Sequence, residues 1–194
     1  MAVDASEAGN AWLFPSPGKW TEAHYFNLPE TQRLVELSNG NLIITQSPCH
    51  SHQRAVATLS YAVVRYVRQE GLGRVIAGEL PVRLKAGCIR KPDLMFLSVH
   101  NCASCEFDLY VDGAPDWVCE VIASDTRHTD EVVKLTEYAE AGIPIYCLVD
   151  PDHKALHVYH LDGAAYALKR SFRPGDQLTC QVFPGFSLAV DELF

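Results

Sequence analysis

The chain has 194 residues, 48% of them hydrophobic, and a formal net charge of −8. That length and apolar content suffice for one folded domain with its own core and exclude global disorder. The acidic balance argues against broad, sequence-independent coating of nucleic acid, which needs a strongly basic surface.

No apolar run approaches the roughly 20 residues of a membrane span. The opening stretch MAVDASEAGNAWLF lacks the basic segment and apolar block of a secretory signal. Cysteine occurs 7 times, an odd number that suits a reducing compartment better than a disulfide framework. A soluble, cytoplasmic protein is the expectation.

Residues 1–18, with Gly9, Pro15, Pro17 and Gly18, read as a loosely ordered arm, and 19–194 as the folded domain. Thr21 can cap a short helix over TEAHYFNLP, which Pro29 ends. In RLVELSNGNLIIT, two strand-like runs flank Asn39-Gly40, a pair that favours positive φ, so a hairpin is predicted. From His52 to about Glu70, Val56, Leu59, Val63, Val64 and Val67 follow helical spacing, and Gly71 and Gly73 stop the helix. RVIAGELPVRLK and KPDLMFLS each read as one strand. A polar stretch, VHNCASCEFDLYVDGAPD, separates them from WVCEVIA, a compact strand. DEVVKLTEYAEAG reads as a helix closed by Gly142, IPIYCLVD as a buried strand, and HKALHVYHLDGAAYALKRSF as a hairpin about Asp162-Gly163. The crossover from Asp130 to Asp150 points to an α/β (α+β) fold, a mixed sheet flanked by helices with hairpins at both ends.

Two carboxylates stand out on this framework. Pro92-Asp93 opens one apolar strand, and Glu120 lies inside another among Val118, Val121 and Ile122. A buried carboxylate needs a cation, a hydrogen-bond donor or a proton. If the two strands are neighbours, Asp93 and Glu120 can share one Mg²⁺, which takes hard oxygen ligands and keeps several waters. Pairing of Glu120 with a nearby Lys or Arg is an equal alternative on residue types alone. Lys134 adds weight to the first reading. It lies four residues after Asp130 and one turn before Tyr138, on a helix that leaves the Glu120 strand through the short loop SDTRHT. There it can stabilise a phosphate or orient an attacking water; an Asp–Lys pair on a solvated face is the ordinary alternative.

Pro92-Asp93 followed by Glu120-Val121-Ile122 resembles the PD-(D/E)XK nuclease superfamily. More closely, the chain resembles the Uma-type restriction endonuclease family. The stretches RLVELSNGNLI, HSHQRAVATLSYAVVRYV, GLGRVIAGELPVRL, RKPDLMFLS, APDWVCEVIASDTRHTDEVVKLTEYAEAGIPIYCLVDPD and PGFSLAVDELF occur in family order. The resemblance implies a restriction endonuclease-like core and metal-dependent hydrolysis of DNA. In that family the lysine expected two residues after the motif glutamate is displaced onto the following helix, which matches Ile122 and Lys134. It further implies that Asp93, Glu120 and the Val121 carbonyl bind Mg²⁺ or Mn²⁺, and that Lys134 positions or activates the water. Glu36 matches an upstream acidic position, a ligand directly or through water. His52 matches a family histidine near phosphate or water. A homodimer would carry two sites and permit double-strand cuts. Three departures stand out: Ala123-Ser124-Asp125 replaces a Ser-Pro-Ser-like turn, Pro144-Ile145-Tyr146-Cys147 replaces Pro-Glu-Tyr-Trp, and Asn41 replaces a common glutamate.

Other motifs carry less. Cys102 and Cys105 form one CxxC near His100, but a structural zinc needs four ligands and no second CxxC exists. Cys119 alternates with Glu120 and should face the other side of its sheet. His50-Ser51-His52 has the wrong spacing for a helical metal pair. His153, His157 and His160 read as surface residues. The competing function class is a non-catalytic binding or regulatory module on the same fold; a further option is another phosphoester as substrate.

Overall fold

The computed structural model describes residues 14–29, 31, 33–45, 49–78, 80–102 and 109–194. Thr21 caps a short helix, α1 (Glu22–Phe26), accepting from the His24 N–H. Strands β1 (Val35–Ser38) and β2 (Asn41–Ile44) pair antiparallel around Asn39-Gly40, and both turn residues have positive φ, 48° and 75°. Gly40 serves a second purpose, because a Cβ there would collide with the Gly18 backbone. Residues 14–18 are accordingly docked on the hairpin: Phe14 stacks on Trp20, and the Trp20 N–H donates to the Gly40 carbonyl. Residues 1–13 of the expected arm lie outside the described residues.

The long helix α2 (His50–Glu70) buries one stripe, Ala55, Leu59, Val63 and Val67, and ends on Gly71 in the left-handed conformation. The run read as a single strand divides into β3 (Gly73–Ala77) and β4 (Val82–Lys85), which belong to different sheets. Proline explains the break: Pro81 has no N–H for a continuous ladder, and its carbonyl instead accepts from Val111. After β4 a tight turn leads to β5 (Cys88–Arg90), then β6 (Leu94–Ser98), a four-residue helix α3 (Val99–Cys102) and β7 (Val111–Asp112). Beyond these lie β8 (Trp117–Val121), a π-helical turn (Thr129–Val133), α4 (Lys134–Glu140) and β9 (Ile145–Asp150). The chain closes with β10 (Ala155–Asp162), β11 (Ala165–Phe172), β12 (Gln177–Cys180), β13 (Phe183–Ala189) and a 3₁₀ turn (Val190–Leu193).

The central sheet is mixed and runs β11-β10-β9-β8-β6-β3, with β8 and β9 parallel across the α4 crossover. A second sheet, β2-β1-β5-β4-β7, and the β12–β13 pair add to the single mixed sheet that the sequence suggested. Strand alternation divides the interior. Trp117, Cys119 and Val121 join the cluster under α2, whereas Val118, Tyr138, Tyr146 and Leu148 form the cluster under α4. Glu120, in phase with Val118, therefore faces the α4 side, away from Cys119. Among the described residues no helix is long and apolar enough to cross a membrane.

One ion pair pins the crossover. Buried Asp150 at the end of β9 accepts 2.6 and 3.1 Å hydrogen bonds from the Arg127 guanidinium and a 2.8 Å contact from His153. Burial raises the Asp150 pKa, but Arg127 and His153 outweigh it and hold the carboxyl well below its usual range. A depressed folded-state pKa stabilises above the unfolded value, about 3.9, and that contribution is lost as pH falls toward the folded value. Asp150→Asn should therefore lower the urea midpoint at pH 7, and the gap to the parent should close in strong acid. An equal gap at both pH values would contradict this.

Candidate active site

The β6–β8 register, Leu94 opposite Cys119, brings Asp93 beside Glu120. Asp93 Oδ2 accepts the Val121 N–H at 2.8 Å and lies 3.3 Å from His52 Nε2 at the start of α2. Burial works against the His52 imidazolium, but the Asp93 carboxylate outweighs it, and the His52 pKa is raised. Its Nδ1 is buried with no hydrogen-bond partner among the described residues.

Glu120 is met from the opposite side by α4. Lys134 Nζ lies 2.9 Å from Glu120 Oε1, 3.1 Å from Asp130 Oδ1 and 3.7 Å from Glu36 Oε1. Tyr138 donates to the same Glu120 oxygen at 2.5 Å. The Asp130–Lys134 pair predicted as i,i+4 thus exists, but it is buried rather than solvated. The π-helical turn that delivers Lys134, its N–H bonded to the Thr129 carbonyl five residues back, could not be foreseen from residue spacing. Such wide turns are frequent at functional sites.

Charge in this cluster is out of balance. Desolvation, together with Asp130, Asp93 and Glu36, pushes the Glu120 carboxyl up to about 8, against the pull of Lys134. Desolvation, with Glu36, likewise raises Asp130 against the pull of Lys134 and Thr126. Burial disfavours the Lys134 ammonium, but Glu120, Glu36 and Asp130 keep its pKa well above the ordinary value, so it remains a cation. Although Lys134 is close enough to Asp130 Oδ1 for an ion pair, the alignment leaves that oxygen without a hydrogen bond.

Glu36, 1% exposed on β1, is already engaged at both oxygens. Oε1 accepts the Lys91 N–H at 2.8 Å and Oε2 accepts Arg90 at 2.9 Å. Arg90 is fully buried and also donates to Glu137 of α4 at 2.6 Å, while Ser38 donates to the other Glu137 oxygen at 2.6 Å. This arrangement suits Glu36 to orienting its neighbours more than to direct ligation.

Glu36, His52, Asp93, Glu120, Asp130 and Lys134 line one cavity of about 180 Å³, which Val121 also borders. The side chains proposed for the site, Glu36, His52, Asp93, Glu120 and Lys134, are therefore brought together. Sequence reading missed Arg90 and Glu137, and it placed Asp130 and Tyr138 on the helix face without seeing their contacts. The one available signal for Arg90 was an arginine beside the Pro-Asp pair, too common to carry a role. Of the CxxC pair, Cys102 donates to the Leu97 carbonyl, and Cys105 lies outside the described residues.

A hard divalent cation is the group such a site would hold. Among the described residues no three His, Cys, Asp or Glu side chains already converge on one point at ligand spacing. Asp93 spends only Oδ2 and Glu120 only Oε1, so one oxygen of each has no hydrogen bond among the described residues. The donors are hard oxygens, and the uncompensated negative charge favours a cation. The residues fit the ion in chemistry, with Glu120 having to give up its proton to receive it.

The model of the Uma2 family, described as "Putative restriction endonuclease", matches residues 22–191. The chain belongs to the Uma2 family. Among solved structures, a protein from Anabaena variabilis ATCC 29413, described as "a putative nuclease belonging to DUF820", shares the fold at a TM-score of 0.73. It is 20% identical, with 90% of this chain and 97% of that chain covered. No curated protein matches. The Uma2 match spans all six cavity-lining side chains named above.

Proposed function

We propose that this Uma2-family chain is a metal-dependent endodeoxyribonuclease that hydrolyses DNA phosphodiester bonds with Mg²⁺ or Mn²⁺. One observation carries the reading: Asp93 and Glu120 each keep one carboxylate oxygen uncommitted in a cavity that also holds the Lys134 ammonium. Family membership supports a nuclease.

Asp93, Glu120 and the Val121 carbonyl would hold the ion. When bound, it lowers the pKa of its water and offsets charge developing on the phosphate. Asp93 is kept in place by the Val121 N–H and by His52, so its free oxygen is presented without rotamer search. Lys134, held as a cation, stabilises the extra negative charge of the pentacovalent phosphate and does not act as the base. Glu36, fixed by Arg90 and the Lys91 N–H, sets the position of that ammonium. The attacking water loses its proton to solvent or to a phosphate oxygen, and the 3′ oxygen leaves as the P–O bond breaks. A homodimer of such sites would cut both strands.

The test is cutting of a plasmid with Mn²⁺, with Mg²⁺ and with EDTA, for the parent and for Asp93→Ala. Cutting that needs the ion and is lost in Asp93→Ala is the expected result. Cutting in EDTA, or undiminished cutting by the variant, would sink the assignment. The 2.9 Å contact of Lys134 with Glu120 favours a second reading, a non-catalytic module whose site is closed on itself. A melt with and without Mn²⁺ separates the two, since only a working ion site stabilises the fold on ion addition.

A further inference from the structure

Several cations of this acidic chain are committed to carboxylates. Arg83 is paired with Glu22 and Asp112, Lys85 with Glu140, Arg90 with Glu36 and Glu137, and Arg127 with Asp150. Arg65 and Arg68 on the outer face of α2 are different. Both are exposed, and neither forms an ion pair among the described residues. Arg65 lies over the ring of Tyr61, 5.8 Å from its centroid, and Tyr61 is itself 69% exposed. Beside them a groove of about 570 Å³ is lined by Ser60, Tyr61, Val64, Arg65, Arg68 and Ala77.

The groove and the carboxylate cavity lie along the same two segments of chain. Gln53 and Val56 of α2 line the cavity, and Ser60, Val64 and Arg68 follow on the same helical stripe. On the opposite wall, Gly78 borders the cavity and Ala77 borders the groove. From Gln53 to Arg68 the helix rises roughly 22 Å, at about 1.5 Å per residue. That length accommodates several nucleotides of one strand.

We propose that this face of α2 is the track for a single DNA strand entering the cavity, an inference that rests on the nuclease reading above. Arg65 and Arg68 contact phosphates, and Tyr61 stacks a base. Exposed aromatic rings beside unpaired cations are the usual means of binding a strand whose bases are accessible. A polyanion is the occupant that charge complementarity selects, because two exposed arginines without an ion pair stand together at this groove in a chain of net charge −8. Two carboxylates stand nearby, Glu70 at the end of α2 and Glu192, which borders the other side of Tyr61 and Arg65. The strand therefore runs on the Ala77 side.

The experiment is fluorescence anisotropy of a labelled 20-nucleotide thymidine oligomer with the full chain in Ca²⁺, across a salt series. Compared are the parent, Arg65→Gln/Arg68→Gln, Tyr61→Ala, and Lys154→Gln/Lys169→Gln in the β9–β10 turn and on β11. The arginine double variant should weaken binding roughly tenfold and lower the salt slope by about 1.4, near 0.7 per lost phosphate contact. Tyr61→Ala should cost about fivefold or more. The lysine variant should match the parent, and the Mn²⁺-induced rise in melting temperature should be the same in all. If the parent binds and the arginine variant binds equally, the track is wrong while the nuclease reading stands. If the parent neither binds nor cuts DNA, the substrate reading fails with it. Should the arginine substitutions instead convert a dimer to a monomer in sedimentation, a second copy covers this face and the proposal is overturned.

Discussion

Glu120→Gln is expected to lower the DNA cleavage rate by about 10²–10³-fold or more while leaving the metal-free protein close to the parent in stability. The two effects separate because burial and three neighbouring carboxylates push the Glu120 carboxyl up to about 8, so near neutrality it carries a proton. Glutamine is a neutral group of the same shape; it still accepts from Tyr138 and Lys134, and folding loses little. A cation, however, needs the ionised carboxylate, which glutamine cannot provide. Paired melts and cleavage assays check both halves. Mn²⁺ should raise the melting temperature of the parent and not that of the variant. A variant that still cuts at the parent rate would remove Glu120 from the metal centre, and a deep loss of stability without metal would show its role to be structural.

Arg90→Met should have the largest effect on stability. Arg90 is fully buried between Glu36 and Glu137, and both contacts are short, 2.9 and 2.6 Å. Desolvation opposes the guanidinium charge, but the two carboxylates hold it well above its ordinary pKa. Removing it leaves two buried carboxylates without their cation, which costs about 3–5 kcal/mol. At roughly 2–4 °C per kcal/mol for a chain of this size, calorimetry should show a fall of about 6–20 °C. Adding Glu36→Gln and Glu137→Gln to Arg90→Met should recover most of that loss, because a neutral triad has no charge to strand. A melting temperature within a degree of the parent for the single variant would show that the network contributes nothing.

These two positions differ in how far they could be foreseen. Glu120 was legible because a carboxylate inside WVCEVIA interrupts an apolar strand, and Asp93 because it opens an earlier one, KPDLMFLS. Lys134 was legible once the crossover helix was placed after Glu120, since a short loop keeps its first turn near the end of that strand. Arg90 was not legible. Its strand, Cys88–Arg90, is three residues long, and its partners lie 54 and 47 positions away in sequence. The division of RVIAGELPVRLK between two sheets was missed because apolar alternation continues across the break, and only Pro81 and the competing Val111 partner interrupt the ladder. The β12–β13 pair was also unread, although its Phe183 and Phe186 complete the core under α2.

Sequence alone determined the local elements and the chemical types at the site. The Asn39-Gly40 hairpin, the α2 stripe, the α4 crossover and the pair Asp93 and Glu120 all follow from backbone preference, periodicity and the cost of burying charge, each of which acts within a few residues. Tertiary structure decided which oxygen each carboxylate keeps uncommitted. It also decided that Asp130 and Lys134 are buried rather than solvated, and that Arg90 ties β1 and β5 to α4. Those outcomes depend on desolvation and on distances between segments remote in the chain, and neither quantity exists until the sheets have packed. The two carboxylates were therefore visible as residues, but the charge imbalance that fits them to a cation came only with the fold.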